Sequence, residues 1–289
     1  LRAMVEHRRS RFDAAPVRPA RAAVALAVFV ALAFIAGCSS DSDGSAPTTN
    51  ASAAASTDAG TSRVSGSIVV SAAASLTDAF TTIRDRFVAA NPGAHVTLNF
   101  GSSGALSTQI LNGAPADVAA FADTAPMNAL AEADLLAAPP EVFARNRLVI
   151  VTGPGNPNGI DSLADLATAG TVSLCVDTAP CGKFADRILA DAGVTIPTSN
   201  ITRGTDVRST LTAVTEGDAV AAIVYVSDAT TAADRVDTVA IPEAHDVTAD
   251  YPIATLGATS SPALARAFEA YVLSERGRSV LEDAGFLAP

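Results

Sequence analysis

The chain has 289 residues, 49 % hydrophobic and 17 % charged, with a mean hydropathy of +0.32, which supports one or two packed units and excludes a wholly disordered chain. Thirty acidic residues against 19 basic ones give a net charge of −11, and Lys183 is the one lysine of the sequence. The clustered cationic face that nucleic acid requires is missing, so no nucleic-acid partner is expected.

In chain order, residues 1–37 read as an export signal. Six arginines, from Arg2 to Arg21, precede the uncharged apolar run Ala22–Ala36, whose 15 residues fall short of the ~20 that a membrane-spanning helix needs. The run closes in Ile35-Ala36-Gly37-Cys38, small residues directly before a cysteine, as at a bacterial lipoprotein cleavage site. Cys38 is therefore the expected lipidated N-terminus, holding the protein on the outer face of the cell membrane. Loss of residues 1–37, with six Arg and two acidic side chains, makes the net charge more negative, from −11 to −15. Residues 38–66, rich in Ser, Ala, Thr, Asp and Gly, carry no apolar periodicity and read as a flexible tether.

From residue 67, apolar strand signals alternate with helical ones. Ile68-Val69-Val70 is a buried strand that feeds a helix with Leu76, Phe80, Ile83 and Phe87 on one face, and Ser75 with Asp78 reads as its capping box. Val96, Leu98 and Phe100 alternate as a strand, Gly101-Ser102-Ser103-Gly104 turns into the next helix, and Asp117–Phe121 is a third strand. The same grammar recurs with strands at Arg147–Thr152, Thr171–Val176 and Ala221–Val226. Helices follow Pro180-Cys181-Gly182 and Thr205-Asp206, and two more close the chain. This order argues an α/β fold with mixed sheets flanked by helices.

The sequence contains no G-x-S-x-G, H-E-x-x-H, phosphate-loop or dinucleotide motif, and His95 and His245 lack partners at metal-ligand spacing. What recurs is a strand or loop giving way to a helix, at Ser75, Ser103, Cys181 and Val207. Such turns expose free backbone N–H groups at the positive end of a helix dipole, and several together bind an anion without a cation. Taken singly, each serine reads more readily as an ordinary N-cap, and Tyr225 as a packed strand residue.

Ala72-Ala73-Ala74-Ser75-Leu76, Gly101-Ser102-Ser103-Gly104-Ala105-Leu106 and Gly113-Ala114-Pro115-Ala116-Asp117-Val118 resemble the substrate-binding proteins of molybdate ABC importers. Pro180-Cys181-Gly182, Asp206-Val207-Arg208, Ile223-Val224-Tyr225-Val226-Ser227-Asp228-Ala229 and Tyr251-Pro252 continue the likeness in register. It implies a two-lobed, type II periplasmic-binding-protein-like fold, with 67–145 plus 250–289 as the first lobe, 146–249 as the second, and the ligand in the cleft between them. It also implies that Ser75, Ser103, Cys181, Val207 and Tyr225 hold molybdate, or tungstate, by neutral donors, with molybdenum present only inside the oxyanion and bonded to no protein atom. No cofactor and no catalytic residue are implied. The implied partners are a membrane permease and its ATPase, and the expected state is a monomer. A receptor of the same fold for sulfate, thiosulfate or another small oxyanion is the alternative; a serine hydrolase and a purely structural surface lipoprotein lie further off.

Cys175 and Cys181, six residues apart, are expected to pair, because exported proteins meet oxidising surroundings and a compact strand-to-turn loop brings such positions within bonding reach. Lys183 reads as a solvated helix-face lysine that contributes little to an anion site.

Overall fold

The computed structural model describes residues 64–289. The expected signal segment, the lipidated Cys38 and all of the tether but its last three residues lie outside this range.

The first sheet is built from β1 (Gly66–Ala73), β2 (Ala94–Gly101), β3 (Val118–Ala120), β4 (Glu141–Asn146) and β10 (Ala249–Thr255), in the order β2-β1-β3-β10-β4. β1 runs parallel to β2 and β3, and β10 is antiparallel to β3 and β4. The second sheet repeats this plan with β5 (Leu148–Thr152), β6 (Val172–Cys175), β7 (Ile201–Gly204), β8 (Ala221–Tyr225) and β9 (Asp237–Ala240), in the order β7-β6-β8-β5-β9. β6 is parallel to β7 and β8, and β5 is antiparallel to β8 and β9. In each sheet three parallel strands thus stand beside one antiparallel strand. The chain passes from the first sheet to the second at Arg147 and returns between β9 and β10, which makes two lobes joined by two crossings.

Helices cover both sheets, as the near-continuous apolar strands require. In the first lobe, α1 (Thr77–Ala90) buries Phe80, Ile83 and Phe87, and α7 (Pro262–Leu273) meets it with Phe268, whose ring packs edge-on to Phe87 at 5.4 Å. α2 (Ser103–Leu111), α3 (Thr124–Glu132) and α8 (Glu275–Asp283) complete this lobe. In the second lobe, α4 (Pro180–Asp191) and α5 (Val207–Thr215) bury Ile188, Leu189, Leu211 and Val214, and α6 (Val226–Thr231) follows β8 directly. None of these helices is long and apolar enough to cross a membrane.

The expected capping box at Ser75 and Asp78 does not form. A 3-10 turn over Ala74–Leu76 intervenes, so Leu76 takes the N-cap position of α1 with no side-chain cap. Ser75 turns its hydroxyl to Tyr251 and Asp78 turns its carboxylate to Arg208, each a partner distant in sequence. The helix α3, the strand β4 and the short strands β7 and β9 carry too few alternating apolar residues to be read from sequence.

Candidate functional site

A small cleft between the lobes, with a cavity volume of about 10 Å³, is lined from one side by residues of the first lobe and from the other by residues of the second. The first wall consists of Ala73, Ala74 and Ser75 at the end of β1, Gly101, Ser102 and Ser103 at the start of α2, and Ala122 after β3. The second wall consists of Ala179, Pro180 and Cys181 at the start of α4, Asp206 and Val207 at the start of α5, and Tyr225 at the end of β8. Ser75, Ser103, Cys181, Val207 and Tyr225, scattered over 150 positions of sequence, therefore share one cavity.

Each is set there by the same local event: a strand ends, and the chain turns into a helix whose first N–H groups have no intrahelical acceptor. Ser103 is the first residue of α2, Val207 the first of α5 and Cys181 the second of α4. Asp206 lines the cavity but spends its carboxylate inward, accepting the Ser209 N–H at 2.9 Å as the N-cap of α5. The start of α4 is pinned twice. The Cys181 and Cys175 sulfurs are 2.04 Å apart, tying the helix to the end of β6. Gly182 lies so close to the Val176 carbonyl that a Cβ there would stand 2.1 Å from its oxygen.

The hydroxyls have unequal surroundings. Ser103 Oγ accepts the Ala122 N–H at 3.0 Å, and Ser75 Oγ lies 2.9 Å from Tyr251 Oη. Tyr225 is 1 % exposed, and its hydroxyl has no hydrogen-bond partner among the described residues. Buried phenols ordinarily find one, so this group is a donor awaiting an acceptor in the cavity it lines. Burial pushes its pKa well above the usual tyrosine value, and the nearby Tyr251 and Asp228 push it the same way, so the proton stays on.

No basic side chain lines the cavity. The cations stand beside it and are already engaged. Arg208, in the first turn of α5, donates across the lobes to Asp78 in the first turn of α1, and its Nε lies 3.1 Å from Asp228 Oδ1. Asp228 is fully buried and its pKa is pushed up to about 7 by burial, with Arg208 opposing that rise. Lys183, half exposed, reaches Asp123 of the first lobe at 3.9 Å. Sequence reasoning assigned no role to Asn146, Tyr251, Arg208 or Asp228. The Tyr251-Pro252 and Asp206-Val207-Arg208 motifs and the motif over 223–229 marked the neighbourhoods of three of them and none marked Asn146, because contacts such as Tyr251–Ser75, Tyr251–Asn146 and Arg208–Asp78 join residues more than 100 positions apart. Among the described residues no cluster of three or more His, Cys, Asp or Glu is placed to hold a metal ion.

Chemically, such a cavity offers donors: first-turn N–H groups, two serine hydroxyls and a phenol. A small anion rich in acceptor oxygens fits that set. Residues 68–287 match the family described as bacterial extracellular solute-binding protein. The chain is 47 % identical over 237 residues to the molybdate-binding protein ModA of Mycobacterium tuberculosis, covering 81 % of this chain and 90 % of that one. Among solved structures it resembles the substrate-binding domain of a putative molybdenum ABC transporter from Clostridium difficile, with 28 % identity, a TM-score of 0.60, and coverage of 77 % of this chain and 99 % of that one. It shares its fold with the periplasmic molybdate-binding protein of Azotobacter vinelandii, with 19 % identity, a TM-score of 0.69, and the same coverage of 77 % and 99 %.

Proposed function

The chain belongs to the bacterial extracellular solute-binding protein family, and we propose on that basis that it captures molybdate, and tungstate with it, for an ABC importer. The observation that carries this reading is the convergence of three helix N-termini, two serine hydroxyls and the unpartnered Tyr225 hydroxyl on one small cavity without a lining cation. A tetrahedral dianion has acceptors only, and pre-aligned neutral donors satisfy it with no counter-ion. Ser75 and Ser103 donate their hydroxyl protons, Cys181 and Val207 their backbone N–H groups, and Tyr225 its phenol proton from the far lobe. The acidic body repels anions at long range, so local alignment of dipoles has to supply the attraction.

The working cycle is hinge closure. With residues 67–145 and 250–289 moving against 146–249 about the two crossings, the ligand completes donors from both walls and favours the closed form. The closed protein then docks on a membrane permease, whose ATPase drives release. Lipidation at Cys38 and the tether keep a monomeric receptor near that permease, outside the cytoplasm. A hydrolytic role finds no support in the two serines. The partner of Ser75 is a phenol that burial keeps protonated, and the partner of Ser103 is a backbone N–H; neither takes a proton.

Titration calorimetry of the folded body with molybdate, tungstate, sulfate and hydrogen phosphate tests the reading. Molybdate and tungstate are expected to bind and to outrank the other two. Sulfate outranking molybdate would convert the protein into a sulfate receptor, and no binding of any oxyanion would reject the reading outright.

A further inference from the structure

Behind Ser75, and outside the cavity, a chain of buried polar groups crosses from one lobe to the other. Asn146, the last residue of β4, accepts the Arg147 N–H on its Oδ1 at 2.9 Å. That bond fixes which end of the amide is which, since only an oxygen accepts there. Its Nδ2 is then turned to Ser227 Oγ at 2.8 Å and to Tyr251 Oη at 3.4 Å, which uses both amide protons. Tyr251 therefore receives a hydrogen bond on its oxygen, the neighbouring Tyr225 phenol keeps its own proton, and the proton of Tyr251 has Ser75 Oγ, at 2.9 Å, as its best-placed acceptor. Burial holds Tyr251 well above the usual tyrosine pKa, so that proton is always present. Ser75 Oγ, accepting from behind, keeps one proton and one lone pair, and the proton is free to point into the cleft it lines.

We infer that Tyr251, oriented by Asn146, is a positioning residue that fixes the Ser75 hydroxyl as a donor into the cleft and thereby makes the site discriminate against oxyanions that carry a proton. Resting on the proposed oxyanion-binding role, the inference adds a mechanism of selectivity to it. A fully deprotonated dianion accepts from Ser75 without conflict. A hydrogen arsenate or hydrogen phosphate dianion must place one hydroxyl somewhere, and a free serine rotates to accept it, whereas Ser75, with one lone pair taken by Tyr251, has lost half of its accepting capacity. On the other side of the same wall, the Ala122 N–H imposes the same polarity on Ser103 by a backbone group that no side-chain substitution removes. The relay through Tyr251 is the part that mutation reaches.

The experiment is calorimetry with molybdate and with arsenate at mildly alkaline pH, where arsenate keeps one proton, on the wild type and on Tyr251→Phe. Phenylalanine preserves the ring that packs on Phe143 and Phe286 and leaves Asn146 bonded to Ser227. The ratio of molybdate to arsenate affinity is expected to fall by about tenfold or more, the worth of one hydrogen bond to a charged group. Asn146→Ala keeps both hydroxyls but frees their orientation; it is expected to lower the ratio likewise, and it decides the question if Tyr251→Phe does not fold. In a Ser75→Ala background, Tyr251→Phe is expected to leave the ratio unchanged, because the relay then has no hydroxyl to orient. An equal loss for both anions, or a ratio that still changes without Ser75, overturns the relay while wild-type molybdate binding stands. A wild type that takes up neither anion overturns the functional reading and the relay together.

Discussion

On the first wall of the cleft, Ser75 and Ser103 arrive with their hydroxyl oxygens already engaged from behind, by Tyr251 and by the Ala122 N–H. On the second wall the Tyr225 hydroxyl has no well-aligned partner among the described residues, only the Tyr251 phenol beside it, and Cys181 and Val207 offer first-turn backbone N–H groups. One wall has its polarity set before a ligand enters; the other holds donors whose needs are unmet until it does. An unsatisfied buried hydroxyl costs about 1–3 kcal/mol, so part of the binding free energy comes from relieving the second wall. Under the proposed function, selectivity and affinity would be divided between the lobes and joined on closure.

The largest expected effect comes from keeping the walls apart. Gly104, second in α2, abuts the Thr178 carbonyl of the opposite lobe, and an added Cβ would stand 2.4 Å from that oxygen. Backbone cannot yield cheaply, so Gly104→Ala has to hold the lobes open. Molybdate affinity is expected to fall by at least about a hundredfold, since hydrogen bonds from a whole wall are lost. The melting temperature without ligand should stay close to wild type. An unchanged dissociation constant would mean that the lobes do not need to touch.

Tyr225→Phe separates relief from simple loss. Removing one donor to a dianion is expected to weaken binding by about 10- to 150-fold. Because the hydroxyl is unpartnered in the free protein, its removal should leave ligand-free stability unchanged or raise it. Thermal melts with and without molybdate give both numbers. A variant that loses affinity and ligand-free stability together would show that Tyr225 has a partner inside the protein.

The five residues that line the cleft could be placed near one another from sequence because each sits at a local signal, a strand giving way to a helix, and because the motifs around them stand in register. Their partners depend on contacts that sequence does not order. Tyr251 meets Ser75 across 176 positions and Asn146 across 105, and Arg208 meets Asp78 across 130. The Ser75–Asp78 box failed for the same reason: two distant side chains outcompeted a local cap. Edge strands such as β7, with a single apolar residue in Ile201–Gly204, are strands only because β6 offers them a partner.

Two predictions sharpen the second wall. Reducing the Cys175–Cys181 pair opens a loop of sequence separation 6, which is worth about 2 kcal/mol of stability in the chain-entropy picture. Chemical denaturation with and without reductant measures it. Affinity should fall by less than about tenfold, because Gly182 against the Val176 carbonyl still seats α4, and a larger loss would make the disulfide the main support of the Cys181 N–H. Asp228 adds a pH dependence. Its folded pKa of about 7 lies above the ordinary 3.8 of an aspartate, so its stabilising share is fully present below about 3.8 and is lost as pH rises through about 7. Relative to Asp228→Asn, the wild type should lose stability across that window and run level above it. Denaturation midpoints that move in parallel at every pH would show that Asp228 titrates at its ordinary value.

The smallest effect is expected at the one lysine. Lys183 stands on α4, one turn from a site proposed to bind a dianion, and simple charge reasoning makes it the natural counter-ion. Its ammonium instead points to Asp123 across the mouth of the cleft, at 3.9 Å and with about half of the side chain in solvent. Asp123 is itself occupied, since its carboxylate accepts the Ala125 N–H at the start of α3. A pair of this kind is worth about 0–1 kcal/mol and is screened by salt. Lys183→Ala is therefore expected to change molybdate affinity by less than about fivefold, in line with that ceiling, and to leave the salt dependence of binding nearly flat. Calorimetry at low and high sodium chloride reads both quantities. A steep salt dependence that disappears in Lys183→Ala would transfer the attraction from aligned neutral donors to a single cation, and the two walls would then differ in charge and not only in how their donors are held.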